Sequence, residues 1–314
     1  MSTGLILFFS CAFFAVRLEP AAGVCSVSKY KEAVGDWVKC SNATVGEAVR
    51  KGGPVVAAIT VSQSRIYEVA DNAFSNYAKT LQALTMQNCG IAQLGPNALA
   101  GLTYLKKLNL PNNNITFVRT SWFASLISLE QLDLSFNSIR EIDAGVFARM
   151  TNIRRVNLDD NLLECLEPKD MEPMRSIAKI RVTENPLRLM CRARMTLWFN
   201  DKGINYSNAL DPKSGSWLDR VLWLCAEDDY VQTITEERMR ECVLLNLFNQ
   251  LRSALKSTDS YGSSSQQCIP ERRAFAGCIA NKGGRGEPVT NGEAATRIIV
   301  AFRDAQEKLR LPAY

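Results

Sequence analysis

Histidine is absent from all 314 residues. That single absence removes the Ser-His-Asp and Cys-His nucleophile pairs, the H-E-x-x-H zinc motif and every imidazole metal ligand. No Cys-x-x-Cys pair occurs either, so a thioredoxin-like redox motif or a zinc site of that spacing is excluded. Long apolar runs are missing too. The longest, Leu5 to Val16, holds about 12 residues against the roughly 20 a helix needs to span a bilayer. Strong charge of one sign is lacking: 37 Lys and Arg face 32 Asp and Glu, a net +5 that does not by itself argue for nucleic acid or a membrane surface. The glycine-rich stretch Lys282 to Gly286 has no preceding strand and no P-loop pattern, and reads as a loop. The acidic pairs Asp228–Asp229 and Glu236–Glu237 read as solvated helix starts. The expectation is a protein that is not an enzyme and needs neither cofactor nor metal.

What is present begins with the first segment. Leu5 to Val16 is broken by Arg17, Glu19 and Pro20 and followed by Ala21, Ala22 and Gly23. This is the pattern of a secretory signal, without basic residues before its apolar core, and cleavage is expected after Gly23. Residues 1–23 then leave with Cys11, and the product is extracellular with no membrane anchor. Nine cysteines remain, Cys25, Cys40, Cys89, Cys165, Cys191, Cys225, Cys242, Cys268 and Cys278. An oxidising compartment pairs most of them, and an odd count needs one thiol with another job. Asn42, Asn114 and Asn205 head N-x-(S/T) sequons and would be usable glycosylation sites there.

The middle of the chain repeats. Units starting at Val56, Leu81, Leu105, Leu129, Ile153 and Ile177 follow one another at steps of 25, 24, 24, 24 and 24 residues. Each has apolar residues at its first, fourth and sixth positions, as in Leu129, Leu132 and Leu134. That alternation marks a short strand and not a helix array. Position nine carries Ser64, Cys89, Asn113, Asn137, Asn161 and Asn185, whose side chains are expected to turn inward and bond the backbone, since buried polar groups must be paired. Cys89 is therefore the expected odd thiol, buried and structural.

These units match the signature L-x-x-L-x-L-x-x-N-x-L of the leucine-rich repeats. With their 24-residue length and Phe74, Phe123 and Phe147 late in the unit, they resemble the extracellular class found in Toll-like receptors, Slit and secreted insect immune proteins. The resemblance implies an α/β solenoid: a horseshoe with a parallel concave sheet over residues 55–184, followed by a small disulfide-bearing α-helical C-terminal region. Stacked units need caps. Residues 24–54, with Cys25 and Cys40 around Trp37, look like an N-terminal cap closed by Cys25–Cys40. Residues 185–225, with Asn185-Pro186-Leu187, Cys191, Trp198-Phe199 and Cys225, resemble the family's C-terminal flanking cap. Leu189 stands where its first cysteine usually sits, and Cys165, one unit earlier, fills the equivalent slot. Cys191–Cys225 and Cys165–Cys242 are the favoured pairs, with connectivity left open, and Cys268–Cys278 closes a pair in the tail.

The tail, residues 226–314, loses the period. Thr233-x-x-Glu236 reads as a capping box opening one helix, and Thr290-x-x-Glu293 opens another with Ile298, Ile299 and Phe302 on one face. On the repeats, positions two, three, five, seven and eight should face solvent from the strand side. They give the candidate partner-binding set Lys106, Lys107, Glu130, Asp133, Phe136, Arg154, Arg155, Asn157, Asp159 and Arg181. A mixed-charge face with one exposed aromatic suits a protein partner better than a polyanion; alternatively its charges only keep the solenoid soluble. The leading expectation is a secreted recognition module, placed in innate immunity by the resemblance alone. The rivals are a structural protein that forms homo- or hetero-oligomers through its C-terminal helices, and a small-lipid carrier using the tail. No nucleic-acid partner is expected.

Overall fold

A computed structural model describes residues 23–206 together with 222, 225, 235–240, 242, 243 and 246. The expected signal segment, the Cys268–Cys278 pair and nearly all of the expected tail lie outside these residues.

Eight strands form one sheet in chain order: β1 (Val24–Lys29), β2 (Asp36–Ser41), β3 (Val56–Ser62), β4 (Ala83–Gln87), β5 (Lys107–Asn109), β6 (Gln131–Asp133), β7 (Arg155–Asn157) and β8 (Lys179–Arg181). β1 and β2 are an antiparallel hairpin, and every later pairing is parallel. Strands β5 to β8 occupy the third to fifth positions of their units, as the alternation predicts, and β3 and β4 run on to the seventh. One residue of each of β2 to β8 points inward in register, giving the continuous buried row Val38, Ile59, Leu84, Leu108, Leu132, Val156 and Ile180. No unit could bury its own apolar side, so this shared row is what joins the stack.

The return segments are short. They hold 3-10 turns at Ser75–Tyr77 and Thr120–Phe123 and the small helices α2 (Gly145–Arg149) and α3 (Pro168–Met171). Phe74, Phe123 and Phe147 are buried beneath them. Trp122 is buried as well, its indole N–H donating to the Leu94 carbonyl at 3.0 Å.

Both ends are closed. At the first, Cys25 is bonded to Cys40 across the hairpin. Helix α1 (Val45–Lys51) follows under a reciprocal cap: the Glu47 amide donates to Thr44 Oγ1 at 3.2 Å, and the Thr44 amide donates to Glu47 Oε2 at 2.7 Å. At the other end, α4 (Leu189–Asp201) covers the last units. Trp198 donates to Glu172 Oε1 at 2.7 Å, and Phe199 stacks on Tyr206 at 5.1 Å. The free edge of β8 is taken by Asn205, whose carbonyl and amide bond Ile180 and Ala178 at 3.0 Å.

The connectivity at this end corrects the sequence reading. Cys165 pairs with Cys191, and Cys225 with Cys242, in place of Cys191–Cys225 and Cys165–Cys242. Cys165 and position 189 are one repeat apart and stack in neighbouring units. Cys191, in the first turn of α4, therefore lands over Cys165, with Cα atoms 5.5 Å apart. The helix expected to open at Thr233 is capped instead by Thr235, whose hydroxyl accepts from the Arg238 amide at 3.3 Å. No helix among the described residues is long and apolar enough to cross a membrane.

Candidate protein-binding surface

Strand alternation leaves two rows of side chains on the outer face of the sheet. In register the first runs Trp37, Ala58, Ala83, Lys107, Gln131, Arg155, Lys179; the second runs Lys39, Thr60, Thr85, Asn109, Asp133, Asn157, Arg181.

The N-terminal half of this face is occupied by the chain itself. The loop between β1 and β2 turns back over the sheet at Gly35, which has φ +141° and sits so near β3 that an added Cβ would be 2.9 Å from the Ala57 Cβ. Ala57 and Ala58, expected to be open, are buried. Tyr30 packs edge-on to Trp37 at 5.9 Å, the Trp37 indole donates to Thr60 Oγ1 at 3.0 Å, and Lys39 Nζ lies 3.7 Å over the Trp37 ring. From the same loop Glu32 reaches Lys107 Nζ at 2.5 Å. The hydrogen bond from Lys107 holds the Glu32 carboxyl below the usual carboxylate range. The pair is largely solvated and worth no more than about 1 kcal/mol, yet it means that Lys107 is already partnered.

The C-terminal half is open. A depression of about 210 Å³ is lined by Asn109, Gln131, Asp133, Arg155, Asn157, Lys179 and Arg181 over a floor of Leu132 and Val156. Among the described residues Arg155 and Lys179 have no carboxylate partner. Asp133 accepts from the Ser135 amide at 3.0 Å and its hydroxyl at 2.7 Å, which fixes it at the mouth of the turn. Arg181 Nε lies 2.6 Å from Asp159 Oδ2, off the hydrogen-bond direction.

Asp159 itself corrects an expectation. It is 4% exposed and does not face a partner. Its Oδ1 accepts from the Thr183 amide at 2.8 Å and the Thr183 hydroxyl at 2.6 Å. The strand ends at Asn157, so position seven has left the strand alternation and its side chain braces the next unit. The expected set is thus divided. Asp133, Arg155, Asn157 and Arg181 gather around the depression. Lys106, Glu130 and Arg154 precede their strands, Lys107 is engaged, and Phe136 follows β6 in the turn.

Position eight of every unit is left-handed. Gln63, Asn88, Asn112, Phe136, Asp160 and Glu184 have φ between 49° and 54°, and Asn42, after β2, has φ 53°. From Asn42 to Asp160, each of these amides donates to the position-seven carbonyl of the next unit, at 3.0–3.3 Å. Asn tolerates this conformation, whereas a bulky ring there is an outlier. Phe136 is nevertheless held in it and is 51% exposed. Next along the column, desolvation and the nearby Asp159 and Glu184 carboxylates push the Asp160 carboxyl up, partly opposed by Arg181.

Beneath this column runs the position-nine ladder. Asn113, Asn137, Asn161 and Asn185 each donate through Nδ2 to three carbonyls and accept an amide of the preceding unit at Oδ1. Cys89 takes the same place as a fully buried thiol, 3.2 Å from the Gln87 carbonyl. Burial pushes its pKa up, and the thiolate is the reactive form. In native protein a maleimide followed by peptide mapping should leave Cys89 unlabelled, with labelling only on unfolding; rapid native labelling at Cys89 would contradict the ladder role.

The sequon residues Asn42, Asn114 and Asn205 all lie at exposed positions. Neither the left-handed column nor the Glu32–Lys107 contact was read from the sequence. No glycine marks the former, and 75 residues separate the partners of the latter.

The family model for the leucine rich repeat matches residues 79–139, 103–163 and 127–187. Comparison with curated proteins gives no match. Solved structures that match include the crystal structure of a TLR13–ssRNA13 complex, at 22% identity and a TM-score of 0.45, over 52% of this chain and 23% of that one. This chain therefore spans less than a quarter of that protein's length. Repeat spacing, parallel sheet, asparagine ladder and family match agree: the chain carries leucine-rich repeats, and its fold is a leucine-rich-repeat solenoid.

Proposed function

We propose that the chain is a secreted recognition protein that binds an extracellular protein partner across the open C-terminal half of its concave sheet. The observation that carries this reading is Phe136. An aromatic side chain half exposed in water gains little from its position, and its left-handed backbone costs about 1–2 kcal/mol. Burial against a partner repays both, and aromatic residues recur as interface anchors. The three disulfides among the described residues suit an oxidising compartment. The placement in innate immunity rests on the resemblance to secreted insect immune proteins, and glycans at Asn42, Asn114 and Asn205 would go with that setting.

The test is Phe136→Gly; Asn is avoided because it would create the sequon Asn-Asn137-Ser138. Glycine relaxes the left-handed backbone, so stability should be unchanged or raised by up to about 1 kcal/mol. Capture of a partner from the native extracellular fluid should weaken by about tenfold or more. If the folded variant captures the same partner equally well, the concave face is only a soluble scaffold.

A further inference from the structure

We propose that the depression over β5 to β8 takes a carboxylate side chain from an extended segment of the protein partner that carries a single acid, with Arg155 and Lys179 as its ligands. This rests on the reading of the concave sheet as the binding face and adds the chemistry of what is bound.

Arg155 and Lys179 stand opposite one another in register on adjacent strands. Strands are about 4.8 Å apart, so the two cationic groups can close on one carboxylate between them. Among the described residues neither has an acidic partner. The third cation of the same row, Lys107, does have one. It comes from the loop between β1 and β2 of the chain itself, Glu32 at 2.5 Å. The first half of the row thus already carries the contact that the second half lacks. Beside the two cations, the Gln131 side chain makes no hydrogen bond among the described residues, and Asn157 uses only its Oδ1, which accepts the Asp159 amide at 3.2 Å. Both amides remain available to bond a peptide backbone lying across the strands.

The same surroundings disfavour a polyanion. Asp133 lines the depression and Asp159 lies under Arg181, so three cations stand against two carboxylates. Asp160 and Glu184 add further negative charge at the turn end of the face. A ligand charged at every unit, such as a nucleic acid or a sulfated glycan, meets these acids. A polypeptide with a single well-placed Asp or Glu does not.

The test uses the full chain and fluorescence anisotropy with a labelled Thr-rich peptide that carries one central Glu, its Gln counterpart, and a labelled single-stranded oligonucleotide. The Glu peptide should bind, and the Gln peptide should bind about tenfold more weakly. The R155A/K179A double variant should lose the Glu peptide by a similar factor, whereas K106A/R154A, which removes two cations outside the depression, should keep it. The proposal is overturned if the Glu peptide does not bind, if the Gln peptide binds equally, if the oligonucleotide binds more tightly, or if K106A/R154A loses as much as R155A/K179A. Matching unfolding curves for both double variants exclude misfolding as the cause. Capture from extracellular fluid separates the two levels: a partner lost by Phe136→Gly but kept by R155A/K179A leaves the concave-face reading standing and removes the acid-bearing segment.

Discussion

Replacing Asn161 by alanine should destabilise the protein by about 3 kcal/mol, read as a lower urea midpoint at unchanged slope. The size follows from which groups are orphaned. Asn161 Nδ2 donates to the carbonyls of Leu134, Leu158 and Asp159 at 3.0–3.2 Å, and Oδ1 accepts the Ile139 amide at 2.9 Å. Each of those carbonyls keeps a second donor, Asn137 Nδ2, Asn185 Nδ2 and the Phe136 amide respectively. The Ile139 amide keeps none among the described residues. Four lost bonds therefore do not cost four times the usual amount: the penalty is one stranded buried N–H, of about 1–3 kcal/mol, plus the space left by the amide. Cys89→Ala, in the same column, removes only weak thiol contacts and should cost clearly less. A loss below about 1 kcal/mol at Asn161 would mean that the ladder follows the stack and does not hold it.

Removing the Cys165–Cys191 bridge as a double alanine variant should cost about 3.5 kcal/mol, the chain-entropy value for a closed loop of 26 residues. It should act locally. The bond ties the first turn of α4 to the last units, so amide exchange should accelerate across Leu189–Asp201 and the β8 edge while β3 to β6 stay protected. Peptide mapping without reduction should recover Cys165 with Cys191 and Cys225 with Cys242. Recovery of Cys191 with Cys225 would refute this arrangement of the end.

What could be read in advance followed from periodicity. The six unit starts, the inward row, the asparagine ladder and Cys89 as its substitute all depend on spacing alone, and spacing is preserved in the chain. The misread features depend on things spacing does not carry. Asp159 was placed outward by extending the strand alternation two residues past Asn157, where the strand has ended. Lys107 was read as open because nothing in a loop of Glu32 type signals a contact across three strands. The disulfide pairs at the far end turn on how α4 lies over the units, which is a packing outcome. The hairpin strand β2 was also hidden: Trp37 to Ser41 alternates like a repeat strand but carries no L-x-x-L-x-L. Of the candidate site, four of ten residues meet at the depression; Lys179 and Gln131, which complete its chemistry with Arg155, stand at the outward-facing third position of their units but are not among the ten.

The left-handed column has a consequence for how such a chain can change its size. Every unit brings its own strand, its own position-eight turn and its own inward rung, and Asn42 shows that the hairpin cap ends on that same turn. The face is consequently graduated like a ruler, in divisions of one strand, about 4.8 Å. Duplicating or excising a whole unit of 24 residues shifts the far cap by one division and leaves every remaining bond in both columns matched. Adding or deleting half a unit offsets both columns at once. Reach along the concave sheet is therefore a quantity this architecture can adjust only in whole steps.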